Sequence, residues 1–122
     1  MAKILVLDDL WDEVVLLERI LAAKGHEVIG FTDEEQAIAY ARSKNNVDLL
    51  ILDIKLKKLS GIEVLEEIKR VRPGIKAMML TGYPSLETAR KAKELGAQAY
   101  TVKPIESEEL EETVALILSL PV

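Results

Sequence analysis

Five side chains in this sequence are of types that could do chemistry together: Asp8, Asp9, Asp53, Thr81 and Lys103. Each closes an apolar run. KILVL leads into Asp8-Asp9, LLIL into Asp53, AMML into Thr81 and AYTV into Lys103. Adjacent carboxylates repel, and neither leaves water without compensation. Three carboxylates brought into one pocket are hard oxygen ligands, and a divalent cation would offset their repulsion. Mg²⁺ suits a small oxygen site that keeps several waters, with Mn²⁺ as an alternative. A metal, the Lys103 ammonium and the Thr81 hydroxyl around one carboxylate would stabilise a phosphoryl group in transfer. That carboxylate could itself be the nucleophile and form an acyl phosphate.

For this to happen, the fold must align the ends of the apolar runs. The sequence predicts a regular alternation of strands and helices. After the first run (Ile4 to Leu7), Asp12 to Lys24 reads as a helix closed by Gly25. EVIGF (Glu27 to Phe31) is the second run, and Thr32 with Glu35 reads as a capping box opening a helix toward Ser43. DLLILD ends in Asp53. Gly61 to Arg72 then carries Val64, Leu65, Ile68 and Val71 on one helical face and stops at Pro73-Gly74. IKAMMLTG is followed by Pro84-Ser85, which caps a helix from Leu86 to Leu95 ended by Gly96, with Leu86, Ala89, Ala92 and Leu95 as its thin apolar face. QAYTV is the fifth run, broken at Lys103-Pro104. The last helix covers Glu106 to Leu120, with Leu110, Val114, Ile117 and Leu118 on one stripe.

The first, third and fourth runs are continuously apolar, as in strands buried on both faces of a parallel sheet between helical layers. Five strand-helix units are too few for a closed eight-stranded barrel. The expectation is an open, doubly wound α/β sheet. With strand order 2-1-3-4-5, the five polar residues face one pocket beyond the carboxyl ends of the strands.

Composition narrows the setting. The 122 residues fit one domain spanning 1–122, with 49% hydrophobic and 30% charged residues. No apolar run reaches the roughly 18–20 residues of a membrane span, and Met1-Ala2-Lys3 leads straight into a strand with no signal peptide. There is no cysteine, hence no disulfide framework or thiolate metal site, and a cytoplasmic location is expected. The net charge is −5 with no Lys/Arg block, which argues against direct nucleic-acid binding.

The pieces VLDDL, LLILDIKL followed by LSGIEVL, MMLTGY, GAQAY and KPI, in this order, resemble the receiver (CheY-like) domains of bacterial two-component response regulators over essentially the whole chain. The resemblance implies a five-stranded (βα)5 flavodoxin-like fold and a phosphorylatable switch, not an enzyme with an external substrate. It implies that Asp53 is the phosphoacceptor, taking a phosphoryl group from a histidine kinase or histidine phosphotransfer protein in a Mg²⁺-dependent reaction. The metal would be held by Asp8, Asp9, Asp53 and the backbone carbonyl of Lys55. Thr81 would contact the phosphoryl oxygens and Lys103 would pair with them. Thr81 and Tyr100 would form the switch, the Lys103-Pro104 bond would be cis, and Lys55 and Tyr83 would tune the phosphoryl lifetime. The face built from the fourth helix, fifth strand and fifth helix would signal to a downstream partner or an output domain, for which this chain leaves no room. The same face, with Leu116 and Leu120 off the core stripe of the last helix, is a candidate homodimer surface. Leu56-Lys57 and Thr101 depart from the family pattern without removing a group that the chemistry needs.

Taken singly, each residue has a plainer reading. Adjacent acids suit a helix N-terminus, Thr81-Gly82 is a turn, Tyr100 is core, and Trp11 packs against the first helix. His26 is assigned no role. Three rivals would change the function. A pseudo-receiver binding module would dispense with the acid set, which is complete here. A Mg²⁺-dependent aspartyl phosphohydrolase usually needs a second acid two residues after its nucleophile; here Leu10 and Trp11 stand two after Asp8 and Asp9. A flavin protein of this topology needs a Ser/Thr/Gly-rich phosphate loop, and DDLWDE is its electrostatic opposite.

Overall fold

Five strands and five helices alternate through a computed structural model that describes residues 1–43 and 45–121. The order is β1 (Lys3–Leu7), α1 (Trp11–Ala22), β2 (Glu27–Phe31), α2 (Glu34–Arg42), β3 (Leu49–Asp53), α3 (Gly61–Val71), β4 (Lys76–Thr81), α4 (Leu86–Glu94), β5 (Ala99–Val102) and α5 (Ser107–Ser119). All strand pairs are parallel, and the sheet runs β2-β1-β3-β4-β5, the expected order. The burial follows from that order. The central strands β1, β3 and β4 are buried almost throughout, whereas the edge strands β2 and β5 are half-buried.

Because strand side chains alternate, the sheet feeds two cores. Leu5, Leu7, Leu50, Leu52, Ala77 and Met79 point to the layer of α2, α3 and α4. Ile4, Val6, Leu49, Ile51, Met78 and Leu80 point to the layer of α1 and α5. This two-sided burial explains why the central strands read as unbroken apolar runs.

Local signals set the helix ends. Gly25 (φ 86°) and Gly96 (φ 83°) take the left-handed conformation after α1 and α4, which glycine adopts without a Cβ clash. Ser85 caps α4 by accepting from Thr88 N–H at 3.1 Å. Three expectations are corrected. The cap of α2 is Asp33, whose carboxylate accepts from Gln36 N–H at 2.9 Å, and not Thr32, which is exposed in the bend after β2. Leu86 belongs to no apolar face: as the first residue of α4 it is 83% exposed, and only Ala92 of that helix is buried. Val71, the last residue of α3, is exposed instead of joining the core stripe. A capping box unread in the sequence opens α3, with Ser60 and Glu63 each accepting from the other's backbone N–H. Among the described residues no helix is long and apolar enough to cross a membrane.

Candidate functional site

The register of the sheet brings the acids together. Leu7 pairs with Leu52 across β1 and β3, so Asp8 and Asp53 follow one step beyond on neighbouring strands. Asp53 in turn pairs with Leu80, next to Thr81 on β4. Thr81 pairs with Val102, and Lys103 N–H donates to Thr81 C=O at 2.8 Å, which brings Lys103 in from β5. The Lys103-Pro104 peptide bond is cis.

Asp8 is 1% and Asp53 7% exposed, while Asp9 is half-buried beside them. One oxygen from each of Asp8, Asp9 and Asp53 lies within 4.8 Å of the others. The Lys103 ammonium reaches into this cluster, 2.7 Å from Asp8 Oδ2 and 3.3 Å from Asp53 Oδ2. Asp8 Oδ1 also accepts from Leu10 N–H at 3.0 Å, which turns the chain after β1. Burial pushes the Asp53 carboxyl above its ordinary range, the Asp8 charge adds to that, and Lys103 only partly opposes it. Burial alone would lower the Lys103 ammonium; the hydrogen bond and charge of Asp8, followed by Asp53, outweigh it and hold Lys103 above its usual value. One ammonium against three carboxylates leaves the cluster net negative. A desolvated group of hard oxygens with surplus negative charge fits a divalent cation of the Mg²⁺ class.

The remaining expected residues surround this cluster. Thr81 is fully buried, and its hydroxyl accepts from Tyr83 N–H at 2.9 Å. The Lys55 ammonium sits 4.1 Å from the centre of the Tyr83 ring, a cation–π pair joining the β3–α3 and β4–α4 loops. Tyr100 is half-buried on β5 and packs against the α2–α3–α4 core. Its hydroxyl hydrogen-bonds Thr88 Oγ1 at 2.7 Å and accepts from Ser85 N–H at 3.2 Å, so it touches the first turn of α4. Trp11 is 58% exposed, with its ring over Gly30 of β2 beside Val14. His26 accepts from Ala2 N–H at the opposite end of the sheet.

Gly61 is a tight point that sequence reading left unused. A Cβ there would collide with the Asp53 carbonyl, so the start of α3 can lie against the end of β3 only without a side chain. Glu34 is a second omission. It is 1% exposed, and its carboxylate accepts from the backbone N–H groups of Lys58 and Leu59. Assigning the α2 cap to Thr32 concealed it. With Asp33 as the cap, Glu34 becomes the first helical residue, turned toward the β3–α3 loop.

The chain's likenesses follow this geometry. The family described as response regulator receiver domain matches residues 4–115. Sporulation initiation phosphotransferase F of Bacillus subtilis is 30% identical over 118 residues, covering 97% of this chain and 94% of that protein. The transcriptional regulatory protein ZraR of Salmonella typhimurium is 34% identical over 116 residues, covering 95% of this chain but 26% of that protein. The chain thus spans about a quarter of the length of the ZraR relatives. Among solved structures, a CheY-like receiver domain protein from Methanospirillum hungatei superimposes with a TM-score of 0.92 at 33% identity, covering 97% of this chain and 94% of that one. TrrA from Thermotoga maritima, solved in complex with Mg(2+)-BeF, gives 0.83 at 32% identity over 96% and 99%. Strand order, acid cluster and sequence match agree, and this chain belongs to the response regulator receiver domains, the phosphorylatable signalling domains of two-component systems.

Proposed function

We propose that Asp53 is the phosphoacceptor of this receiver, and that a histidine kinase or histidine phosphotransfer protein is its donor. The observation that carries the reading is the shared ammonium: Lys103 bonds both Asp8 and Asp53 inside a cluster of three carboxylates. An Asp53 carboxylate oxygen forms the new bond to phosphorus while the P–N bond to the partner's imidazole breaks. The imidazole nitrogen keeps that bonding electron pair. Asp8, Asp9, Asp53 and the Lys55 carbonyl would hold Mg²⁺, which when bound neutralises the carboxylates and the phosphoryl oxygens. Lys103 pairs with the added phosphoryl group, and burial at 7% exposure limits the access of water to Asp53. The Lys55–Tyr83 pair lies across the two loops that flank the acceptor, where it shields the acyl phosphate and lengthens its lifetime. A groove lined by Leu16, Ile20, Pro104 and Ile105 opens beside Asp8 and Lys103 and offers the phosphohistidine partner an apolar foothold.

The output step starts at Thr81. Turning its hydroxyl toward a phosphoryl oxygen gives up the bond from Tyr83 N–H and moves the β4–α4 loop. Tyr100, tied to Thr88 and Ser85, passes the shift to α4, whose single buried residue anchors it weakly. The α4-β5-α5 face then presents the change to a downstream partner, an output domain or a second copy. On this reading the chain acts in the cytoplasm.

Incubation with a small acyl phosphate and Mg²⁺, followed by intact mass, tests the assignment. One base-labile phosphoryl addition is expected, absent in Asp53→Asn. No addition to the parent chain would leave a binding module that lacks the chemistry, and turnover of unrelated phosphate esters would indicate a hydrolase.

A further inference from the structure

The β3–α3 loop, residues 54–60, carries the Lys55 carbonyl and begins at the acceptor. Its ends are fixed by the main chain: Ile54 N–H donates to Leu80 C=O at 3.2 Å, and Gly61 N–H to Ile54 C=O at 2.7 Å. Between these anchors, among the described residues, the only side chain that hydrogen-bonds the backbone of residues 55–59 is Glu34. One oxygen, Oε2, takes both bonds, from Lys58 N–H and from Leu59 N–H, the latter at 2.8 Å. The donors lie 24 and 25 residues along the chain from their acceptor. The contact therefore ties the first turn of α2 to the main chain of a loop that is otherwise held by side chains alone, through Leu56 and Leu59 against the core and the Lys55–Tyr83 pair. Asp33 and Glu35 add only ion pairs to the Lys58 side chain, at 2.9 and 3.4 Å.

A carboxylate at 1% exposure is costly unless charged bonds replace its water. Two charge-assisted bonds to backbone donors do so here. Peptide planes are rigid, so fixing residues 58 and 59 while closing 54 onto 61 leaves the intervening carbonyls few orientations. We propose that Glu34 is a positioning residue for the phosphoacceptor loop, fixing through Lys58 and Leu59 where the Lys55 carbonyl faces the acid cluster. It touches neither metal nor phosphoryl group. This inference rests on the receiver reading, in which that carbonyl is a ligand.

The test compares Mg²⁺ affinity by titration calorimetry in the parent chain, Glu34→Ala, Glu34→Gln and Glu35→Gln. Removing an outer partner of a metal site weakens binding roughly tenfold, which is the loss expected for Glu34→Ala. Glu34→Gln keeps an acceptor oxygen without charge and should fall between Ala and the parent. Glu35→Gln removes an equal charge with no backbone bond and should bind as the parent does. Amide exchange in residues 54–60 should quicken in Glu34→Ala while β1, β3 and β4 stay protected. If the alanine variant does not fold, parent and Glu34→Gln decide. Equal affinity in every folded Glu34 variant, even with a lowered melting point, overturns the proposal and leaves the receiver chemistry standing. A parent chain that does not bind Mg²⁺ overturns both.

Discussion

Lys103 is held closer to Asp8 than to Asp53: its ammonium nitrogen lies 2.7 Å from the first carboxylate and 3.3 Å from the second. The cation thus serves Asp8 at least as much as Asp53. Asp53 remains under-compensated, in keeping with the upward push on its carboxyl from burial and from Asp8.

Among the described residues Lys103 is the one cation in contact with the cluster, and Lys103→Met removes it. Breaking a buried pair costs 3–5 kcal/mol, and with the Lys103 side chain 19% exposed the low end, about 3 kcal/mol, is expected in metal-free denaturation. Mg²⁺ should then stabilise this variant more than the parent, because it replaces a missing charge. An equal response would contradict the shared-ammonium account.

Mg²⁺ should also stabilise the parent chain, by about 2.7 kcal/mol at a hundredfold excess over Kd. Asp9, half-buried beside Asp8 and Asp53, contributes one of the three converging oxygens. In Asp9→Ala the melting temperature should no longer respond to Mg²⁺. A thermal shift that survives the substitution would remove Asp9 from the site.

Tyr100→Phe deletes the hydroxyl that meets Thr88 and Ser85. A stability loss of about 1 kcal/mol is expected, with faster amide exchange at residues 85–89. In the parent chain a phosphate mimic should alter exchange along α4. Identical protection with and without the mimic would disprove the transmission route.

Glu34 gives the acid limb of stability a definite sign. Burial pushes its carboxyl up, but backbone N–H groups, Leu59 foremost, outweigh burial and leave it below the ordinary 4.5. A group depressed in the folded state contributes stability that is fully present above pH 4.5 and is lost as pH falls through the depressed value. Denaturation across that window should show a shallower acid limb in Glu34→Gln than in the parent.

The α4-β5-α5 face leaves Leu86, Val102 and Leu116 at 83%, 48% and 65% exposure. Replacing Leu116 and Leu120 with Glu should weaken any self-association that a phosphate mimic induces, measured by light scattering. Association of equal strength in the double variant would assign dimerisation to another surface.

Much of this was legible in the sequence because its signals are local. Unbroken apolar runs marked the central strands, glycines marked the ends of α1 and α4, and Ser85 marked the start of α4. The errors were local as well. Thr32 and Asp33 are both competent caps, and only the docking of α2 against the β3–α3 loop selects Asp33. Leu86 reads as apolar by residue type, yet at the first position of α4 it has no facing layer.

The sequence by itself determined the alternation of strands and helices, the polar residue at the end of each strand and the charges available there, because periodicity and chemical type belong to each residue. Only the tertiary structure decided which groups share a proton donor or a charge. Lys103 lies 95 residues from Asp8 and 50 from Asp53, and Glu34 meets its loop 24 residues on. Such contacts depend on strand order and on how deeply each group is desolvated. Neither is a property of any one segment, so both appear only when the sheet closes its two cores.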